Sequence, residues 1–278
     1  MNKVYIIGEI GINHNGDINL AKKLINMAKE CGCDAVKFQK REVDIVIPKE
    51  MWYKKKETPH GFVDYIDYKR GIELSKDDYI HLKDYCDKKE IDFLASAWDL
   101  DSLKFINSLN PKYHKLASPM LRDKNFVNSI AGYGKEVIIS TGMSTINEID
   151  KIVKVFKENN CPYTLLHCVS VYPCPDELLN LKVITTIKER YNCKVGYSGH
   201  SSGILDGVIA TTLGATVIEK HITLDRCMFG SDQSSSLESN GLSRMIRDIR
   251  LLDVIYGDGN KEVLSVDEMR VREKLYGR

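Results

Sequence analysis

The stretch that decides the fold is VYIIGEIGINHNGDINLAKKLINMAKECGCDAVKFQ, residues 4–39. Its two ends, residues 4–10 and 35–39, are short apolar runs of the kind that form buried β-strands. Between them, residues 18–31 place apolar side chains at helical spacing, which predicts an amphipathic helix. A strand, a helix and a second strand in this order indicate a parallel β-α-β unit.

The same alternation continues along the chain. Eight strands are predicted, at residues 4–10, 35–39, 92–98, 113–118, 136–141, 163–170, 194–200 and 217–224. The predicted helices span residues 18–31, 76–89, 100–109, 124–131, 146–158, 181–190, 205–213 and 241–255. Eight strands that are each followed by a helix describe an α/β fold, a TIM (β/α)8 barrel. Because no linker rich in Pro, Gly or Ser divides the chain, we expect residues 1–278 to form a single domain.

Residues 40–74 break the regular spacing, because they are too long for an ordinary loop between a strand and a helix. The segment contains aromatic side chains and a basic run, namely Trp52, Tyr53, Tyr65, Tyr68 and residues 54–56. We expect an extended insertion that acts as a lid or as a contact between subunits. A solvated surface excursion explains the segment equally well.

The composition excludes several classes of partner. The 278 residues carry 40 Lys and Arg against 39 Asp and Glu, a formal net charge of +1, so neither nucleic acid nor an acidic membrane is expected as a partner. No apolar run reaches the roughly 18 residues that a membrane span needs, and the first residues lack the layout of a signal peptide. Eight cysteines without a CxxC pair predict reduced thiols. We therefore expect a cytoplasmic protein with a small-molecule partner.

Polar residues collect at the carboxyl ends of the predicted strands, where barrels of this kind place their catalytic groups. They are Glu9, Lys37, Gln39, Ser96, Lys115, Ser118, Thr141, Ser170, Ser198, His200, Glu219 and His221. Because residues two apart on a strand share a face, Glu219 and His221 are expected to face the barrel axis together. Lys220 then points towards the helices, which argues against it as a Schiff-base lysine.

His200 and His221 end neighbouring strands on the predicted inner face, an arrangement that suits a catalytic metal ion. Two imidazoles leave coordination positions free for water and substrate oxygens. A pair of structural histidines explains the pattern equally well. The donor set leaves manganese, zinc, iron and cobalt open.

Lys37 and Lys115 place two positive charges beside a set of hydroxyl groups, those of Ser96, Ser118, Thr141, Ser170 and Ser198. Such a group can neutralise and hydrogen-bond a phosphorylated or carboxylated ligand. A lysine that only pairs with Glu9 or Glu219 is the alternative, but it does not account for two inner lysines.

Seven motifs resemble the successive motifs of the sialic acid synthases, in the same order, and the resemblance covers residues 4–275. They are EIGINHNG (9–16), KFQ (37–39), KLAS (115–118), STGM (140–143), LLHC (165–168), GYSGH (196–200) and EKHITLDR (219–226). The resemblance implies a TIM barrel and a transferase activity. Members of this family condense phosphoenolpyruvate with a sugar such as N-acetylmannosamine, which forms a 3-deoxy-ulosonic acid and releases phosphate.

The resemblance also implies roles for individual residues. His200 and His221 match the metal ligands, with Mn2+ as the first expectation and Mg2+, Co2+, Zn2+ or Fe2+ as alternatives. The phosphoenolpyruvate positions, to which the hydroxyl set adds Thr141 and Ser170, are Lys37, Gln39, Ser96, Lys115, Ser118 and Ser198. The acceptor sugar is expected near Glu9, Gln39, Met120, Tyr172 and Asp232. The expected catalytic residues are Glu9, Lys37, Lys115 and Asp232.

The sequence departs from the family pattern on the acceptor side. Met120 stands where family members usually carry a glutamate, Val171 replaces an asparagine, and Gly199 replaces the aspartate that precedes the metal-binding histidine. From these changes we expect an acceptor other than simple N-acetylmannosamine. We also expect the chain to lack the family's C-terminal antifreeze-like domain, whose arginine reaches the partner's sugar site in a dimer. Residues 40–74 or another chain would then have to replace that arginine.

Two other functions remain open from the sequence. The first is a lysine Schiff-base aldolase that uses Lys37 or Lys115. The second is a barrel that binds a sugar phosphate without turnover. For the synthase, the expected small-molecule partners are phosphoenolpyruvate and a sugar, and a homodimer is expected.

Overall fold

Eight parallel strands close into a barrel in a computed structural model that describes residues 3–277. In chain order the strands are β1 (Tyr5–Gly11), β2 (Ala35–Lys40), β3 (Lys55–Thr58), β4 (Gly61–Asp64), β5 (Asp92–Ala97), β6 (His114–Leu116), β7 (Val137–Ser140), β8 (Tyr163–Cys168), β9 (Lys194–Gly199) and β10 (Val217–His221). All but β3 and β4 belong to the barrel, and β1 closes it by pairing with β2 and with β10. The predicted TIM barrel is confirmed. Residues 1, 2 and 278 of the expected domain lie outside the described residues.

Eight of the eleven α-helices in the described part of the chain lie at nearly the predicted positions, and the helices at Val43–Val46, Tyr65–Gly71 and Val266–Tyr276 were not predicted. They are α1 (Ile18–Cys31), α2 (Val43–Val46), α3 (Tyr65–Gly71), α4 (Lys76–Lys88), α5 (Leu100–Ser108), α6 (Lys124–Gly132), α7 (Ile146–Glu158), α8 (Val183–Tyr191), α9 (Leu205–Thr212), α10 (Ser239–Ile255) and α11 (Val266–Tyr276). Local capping explains the sharp boundaries. The Asp17 side chain accepts a hydrogen bond from the backbone N–H of Asn19 and starts α1, and Gly32 ends it in the left-handed conformation.

The strand alternation positions the functional side chains. Six inward-facing residues of six strands form a small apolar cluster: Ile7, Ala35, Leu94, Ile138, Leu166 and Val217. Two residues further along the same strands stand Glu9, Lys37, Ser96, Ser140, Cys168 and Glu219, all of which line one cavity. Since residues two apart share a face, the apolar cluster fills the barrel below the cavity. The polar residues therefore emerge together at its carboxyl end.

Residues on the opposite face of the strands pack against the helices. Phe38, between the inward-facing Lys37 and Gln39, stacks on Phe93 with ring centroids 5.6 Å apart. Lys220, between Glu219 and His221, pairs with Asp206 of α9 at 3.0 Å. Lys220 therefore points away from the barrel axis, as predicted.

Residues 40–74 form an ordered layer with its own small core. The strands β3 and β4 make an antiparallel hairpin, and buried Val43, Ile47 and Ile66 of the same segment pack together. This packing excludes a purely solvated excursion. The segment also contributes Arg41 and Lys69 to the lining of the cavity.

The sequence patterns predicted no helix or strand after residue 255. There α11 follows α10, and none of its side chains is buried. Over the described range, no helix combines the length and the apolar character required to cross a membrane.

Candidate active site

One cavity of about 540 Å³ opens at the carboxyl ends of the barrel strands. All but two of the predicted site residues line it: Glu9, Lys37, Gln39, Ser96, Lys115, Ser118, Ser170, Tyr172, Ser198, His200, His221 and Asp232. The strands bring these side chains together because the last inward-facing residues of the barrel strands lie at the same level along the barrel axis. Tyr172, Ser231 and Asp232 reach the cavity from the loops that follow β8 and β10.

Four buried charged residues form the floor of this cavity: Glu9, Lys37, Lys115 and Glu219, which we call the floor quartet. Lys37 Nζ lies 2.9 Å from Glu9 Oε2 and 3.7 Å from Glu219 Oε1, and Lys115 Nζ lies 3.8 Å from Glu219 Oε1. Glu219 therefore lies near both ammonium groups. Lys37 and Lys115 each lie near an acidic side chain, as the alternative interpretation of the sequence required. Both lysines nevertheless line the cavity.

Burial sets the protonation of the quartet. Desolvation raises the pKa of Glu9 to about 7, although Lys37 opposes the shift. Desolvation also lowers the pKa of Lys115, whereas for Lys37 the charges of Glu219 and Glu9 outweigh burial and raise the pKa. Glu9 can thus gain or lose a proton near neutral pH, which is what a general acid or base requires.

Hydroxyl groups surround the two lysines. Lys115 Nζ donates to Ser140 Oγ at 2.6 Å, and Ser198 Oγ donates to Glu219 Oε1 at 3.1 Å. The backbone N–H of Gly142 donates to Ser118 Oγ at 3.0 Å, and a Cβ on Gly142 would lie only 2.8 Å from that oxygen. Glycine thus lets the backbone approach the serine closely. The arrangement supplies donors suited to an anion.

Two predicted ligand residues do not reach the cavity. Thr141 donates its hydroxyl hydrogen bond to the carbonyl oxygen of Leu166 at 2.9 Å, and Ser140 lines the cavity in its place. Met120 packs against the main hydrophobic core, because Ser118 to Arg122 form a 3-10 helix that turns this side chain away from the opening. The expectations for Thr141 and Met120 are therefore corrected.

The structure also changes the interpretation of Gly199. A Cβ on Gly199 would lie 2.5 Å from the ring of Tyr197, and Tyr197 belongs to the core outside the barrel. A side chain at this position would thus face the helices and meet Tyr197. We therefore do not count Gly199 as the loss of a group that orients His200.

His200 and His221 lie side by side at the cavity wall, with ring centroids 5.4 Å apart. The Nδ1 atom of His200 lies 2.7 Å from the Val169 carbonyl oxygen, so it carries the proton and leaves Nε2 as a free ligand atom. Among the described residues, the buried Nδ1 of His221 has no hydrogen-bond partner, and it lies 3.8 Å from Asp232 Oδ2.

These donors fit an open metal site. Among the side chains that the structure describes, those of residues 3–252 and 254–277, no group of three or more His, Cys, Asp or Glu is arranged to enclose a metal ion. One of the two imidazoles, that of His221, has a buried nitrogen without a hydrogen-bond partner among the described residues. Such a pair suits an ion that takes its other ligands from water or substrate. The pair therefore fits the catalytic type of site rather than a structural one.

The sequence patterns missed several lining residues, including Arg41, Lys69, Trp98, Ser140 and Cys168. The inward position of Ile138 was the signal that would have selected Ser140 instead of Thr141. Cys168 follows from Leu166 in the same way. Arg41 and Lys69 lie in the irregular segment, where no periodicity indicates which side chains face the barrel.

Comparison with known proteins gives the family. The NeuB family matches residues 24–261. An uncharacterised protein of Methanocaldococcus jannaschii is 41% identical over 258 residues, which cover 92% of this chain and 73% of that protein. The N-acetylneuraminate-9-phosphate synthase of Homo sapiens is 37% identical over 273 residues, which cover 98% of this chain and 76% of the human protein.

A solved structure agrees with this result. The N-acetylneuraminic acid synthetase of Leptospira borgpetersenii superimposes with a TM-score of 0.86 at 32% identity, covering 100% of this chain and 94% of that one. Its fold is therefore shared along the whole length of the barrel. With a family match over most of its residues and relatives that cover nearly all of it, this chain belongs to the NeuB family.

Proposed function

We propose that the protein condenses phosphoenolpyruvate with the open-chain form of an aldose or acetamido sugar and releases phosphate, in the manner of a sialic acid synthase. The observation that carries this proposal is the floor quartet with its ring of serine hydroxyls, next to two histidines, in a NeuB family barrel. Two buried lysines suit a small ligand that carries both a phosphate and a carboxylate. Beside them lies the hydroxyl of Ser118, which accepts a hydrogen bond from the backbone N–H of Gly142.

In this proposal phosphoenolpyruvate occupies the floor of the cavity. Lys37 and Lys115 neutralise its charge, and Ser96, Ser118, Ser170 and Ser198 hydrogen-bond its oxygens. The π electrons of the enolpyruvate C=C bond form a bond from its methylene carbon to the aldehyde carbon of the sugar, while the C=O π bond opens and its oxygen takes up a proton. Water adds to the neighbouring enolpyruvate carbon and gives its proton to Glu9, so that one proton is taken up and one is released. When the tetrahedral intermediate collapses, the bond between that carbon and the phosphate oxygen breaks. The two lysines then meet the negative charge of the departing phosphate.

Glu9 is suited to the proton transfers. It lies on the floor with its carboxylate bonded to Lys37 and Gln39, and its pKa of about 7 allows it to take the proton of the adding water. Asp232 and Tyr172 face the same cavity from its loop side. We assign them to the acceptor sugar.

A divalent metal ion would be held by His200 and His221. When bound, such an ion polarises the sugar carbonyl and makes its carbon electrophilic. Mn2+ is our first candidate, and Mg2+, Co2+, Zn2+ and Fe2+ are alternatives that the imidazole pair also accepts.

The proposal is tested by measuring phosphate release from phosphoenolpyruvate with Mn2+ and a panel of aldoses and acetamido sugars, followed by mass measurement of the product. We expect at least one acceptor to give phosphate and a product with three added carbons. His200→Ala and His221→Ala should lose at least about 100-fold in rate, which corresponds to about 2.7 kcal/mol of transition-state stabilisation. The exposed His81 provides the matched control, since His81→Ala should keep full activity.

The two alternatives give different results in the same experiment. Desolvation lowers the pKa of Lys115, which is the property that a Schiff-base lysine needs. Borohydride trapping of a pyruvate adduct in the presence of EDTA would favour that aldolase. Binding of sugar phosphates without phosphate release for any acceptor would favour a non-catalytic barrel.

A further inference from the structure

The loop between β10 and α10, residues 222–238, brings Asp232 to the cavity. Backbone hydrogen bonds join its two ends, since the N–H of Leu237 donates to the carbonyl oxygen of His221 at 2.8 Å and the N–H of Thr223 donates to that of Leu237 at 3.0 Å. These bonds fix only the base of the loop. The position of Asp232 within the loop therefore depends on other contacts.

Asn13 ties this loop to the segment that follows β1. The residue is only 1% exposed, and its amide nitrogen donates to the carbonyl oxygen of Ile222 at 2.9 Å and to Ser236 Oγ at 2.8 Å. Because both amide hydrogens are used, the side chain is held in one orientation. The buried hydroxyl of Ser236 donates in turn to the backbone carbonyl oxygen of Asp232 at 2.6 Å. We call this connection from the barrel to the Asp232 backbone the Asn13–Ser236 chain.

Two further residues of the loop support this arrangement. Ser235 Oγ donates to the same carbonyl oxygen of Asp232 at 3.0 Å. That bond stays within the loop, so it cannot fix the loop to the barrel. The Nε2 atom of Gln233 donates to the backbone carbonyl oxygen of Asn13 at 3.2 Å. Contacts from Gln233 and Ser236 thus converge on Asn13.

The carboxylate of Asp232 stops short of His221. Asp232 Oδ2 lies 3.8 Å from His221 Nδ1, which is beyond hydrogen-bond distance, and this nitrogen has no partner within the described part of the chain. The other oxygen, Asp232 Oδ1, accepts a hydrogen bond from Ser231 Oγ at 2.7 Å. A carboxylate gains a charge-assisted hydrogen bond by approaching an imidazole N–H. The fixed backbone of Asp232 therefore keeps the two side chains apart.

We propose that the Asn13–Ser236 chain positions Asp232 for the acceptor sugar, by holding its carboxylate in the cavity and away from His221. An oxygen that does not bond His221 remains available to accept a hydrogen bond from a sugar hydroxyl. Asn13 and Ser236 are then positioning residues, since neither lines the cavity that the structure describes. The inference rests on the proposed function, which assigns Asp232 to the acceptor.

The test uses the intact protein, phosphoenolpyruvate and the acceptor that gives the fastest phosphate release in the panel of sugars. Ser236→Ala removes the hydroxyl that bonds the Asp232 carbonyl, and Asn13→Ala removes the anchor of the chain. We expect each variant to lower kcat/KM for the acceptor about 10-fold to 100-fold, since a misplacement of about 1 Å can cost this much. The KM for phosphoenolpyruvate should stay unchanged, because the floor quartet is not altered. If Asn13→Ala does not fold, Ser236→Ala alone decides.

Ser102→Ala is the matched control. Ser102 is as fully buried as Ser236, and its hydroxyl donates to Asp99 Oδ2 at 2.7 Å, away from the cavity lining. This variant should lower the free energy of unfolding without altering the KM for either substrate, which separates positioning from a loss of stability. The double variant Asn13→Ala/Ser236→Ala should be no slower than Asn13→Ala, because both substitutions break one chain.

An unchanged kcat/KM for the acceptor in Ser236→Ala would overturn the inference and leave the proposed function intact. If no acceptor releases phosphate, the proposed function fails, and crystal structures of wild type and Ser236→Ala then decide the inference. We expect the variant to bring Asp232 Oδ2 within about 3 Å of His221 Nδ1. A carboxylate that keeps its wild-type position would refute the inference.

Discussion

Two neighbouring hydroxyl residues at the end of β7 face different ways: Ser140 lines the cavity and Thr141 does not. Ile138 belongs to the apolar cluster inside the barrel, so Ser140 shares its inward face and Thr141 does not. Ser140 receives the hydrogen bond of Lys115 at 2.6 Å, whereas Thr141 bonds the Leu166 carbonyl. A hydroxyl at the end of a strand is thus not sufficient to define a ligand position.

This difference predicts opposite outcomes for two similar substitutions. Ser140→Ala should raise the KM for phosphoenolpyruvate about 10-fold, because it removes a hydroxyl that positions a charged lysine. Thr141→Val should leave this KM unchanged and lower the free energy of unfolding by about 1 kcal/mol. Steady-state kinetics and urea unfolding of both variants check this. A larger kinetic effect for Thr141→Val would show that the register of β7 is misassigned.

Strand periodicity predicted many of the residues that line the cavity, because side chains on one face of a strand repeat with a period of two. If Lys37 faces the barrel interior, Gln39 must face it too. By the same rule Glu219 and His221 face inward, and Lys220 between them faces outward. The rule fails where the strand ends. Met120 lies beyond β6 in a 3-10 helix that starts with Ser118 and Pro119, so its direction could not be extrapolated from Lys115.

At the scale of elements, a buried polar cluster holds β9, β10 and α9 together. Lys220 of β10 donates to the carbonyl oxygen of Ser201 at 2.8 Å and pairs with Asp206 of α9 at 3.0 Å. Tyr197 of β9 donates to the same carboxylate at 2.8 Å. Because Ser201 follows His200 and Lys220 precedes His221, the cluster also fixes the strand ends that carry the two histidines.

We predict that Lys220→Met lowers the free energy of unfolding by about 3 to 5 kcal/mol, because it leaves the Asp206 carboxylate buried without its counter-ion. The double variant with Asp206→Asn should be less destabilised than Lys220→Met alone. Lys154→Met is the control, since the ion pair of Lys154 with Glu158 lies on the surface and should contribute no more than about 1 kcal/mol. Urea unfolding measures all three. A double variant that is as unstable as Lys220→Met, or less stable than it, would contradict the pairing.

For the molecule as a whole, the alternation of strands and helices predicted the barrel, since eight repeats leave few other arrangements. Residues 40–74 could not be predicted because their core is a local cluster of Val43, Ile47 and Ile66 without a helical or strand period. The helix α11 was missed for a related reason. It buries none of its side chains, so no apolar face marks it in the sequence. The expected homodimer stays a prediction, which light scattering can check.

The pH dependence of global stability should reflect buried neutral histidines. Burial, with a smaller contribution from Lys135, lowers the pKa of His114 to about 4. The unfolded chain, with a pKa near 6.5, therefore binds the extra proton first as the pH falls. The stability contributed by neutral His114 is complete above about pH 6.5 and is lost progressively towards pH 4.

We therefore expect the stability difference between wild type and His114→Gln to shrink by about 2 kcal/mol between pH 7.5 and pH 5. Urea unfolding at several pH values measures it. His81→Gln, at an exposed position, should show no comparable change. If the difference in the free energy of unfolding between wild type and His114→Gln stayed constant with pH, this would contradict a His114 that is buried in its neutral form.

The floor quartet has a consequence for turnover. Its lysines already hold carboxylates at 2.9 Å and 3.8 Å, so an incoming anion competes with the protein's own side chains and not only with water. In the proposed reaction, Glu9 and Glu219 compete with the departing phosphate for the same two ammonium groups. We therefore expect inorganic phosphate to be a weak inhibitor, because the floor quartet supplies its own counter-charges.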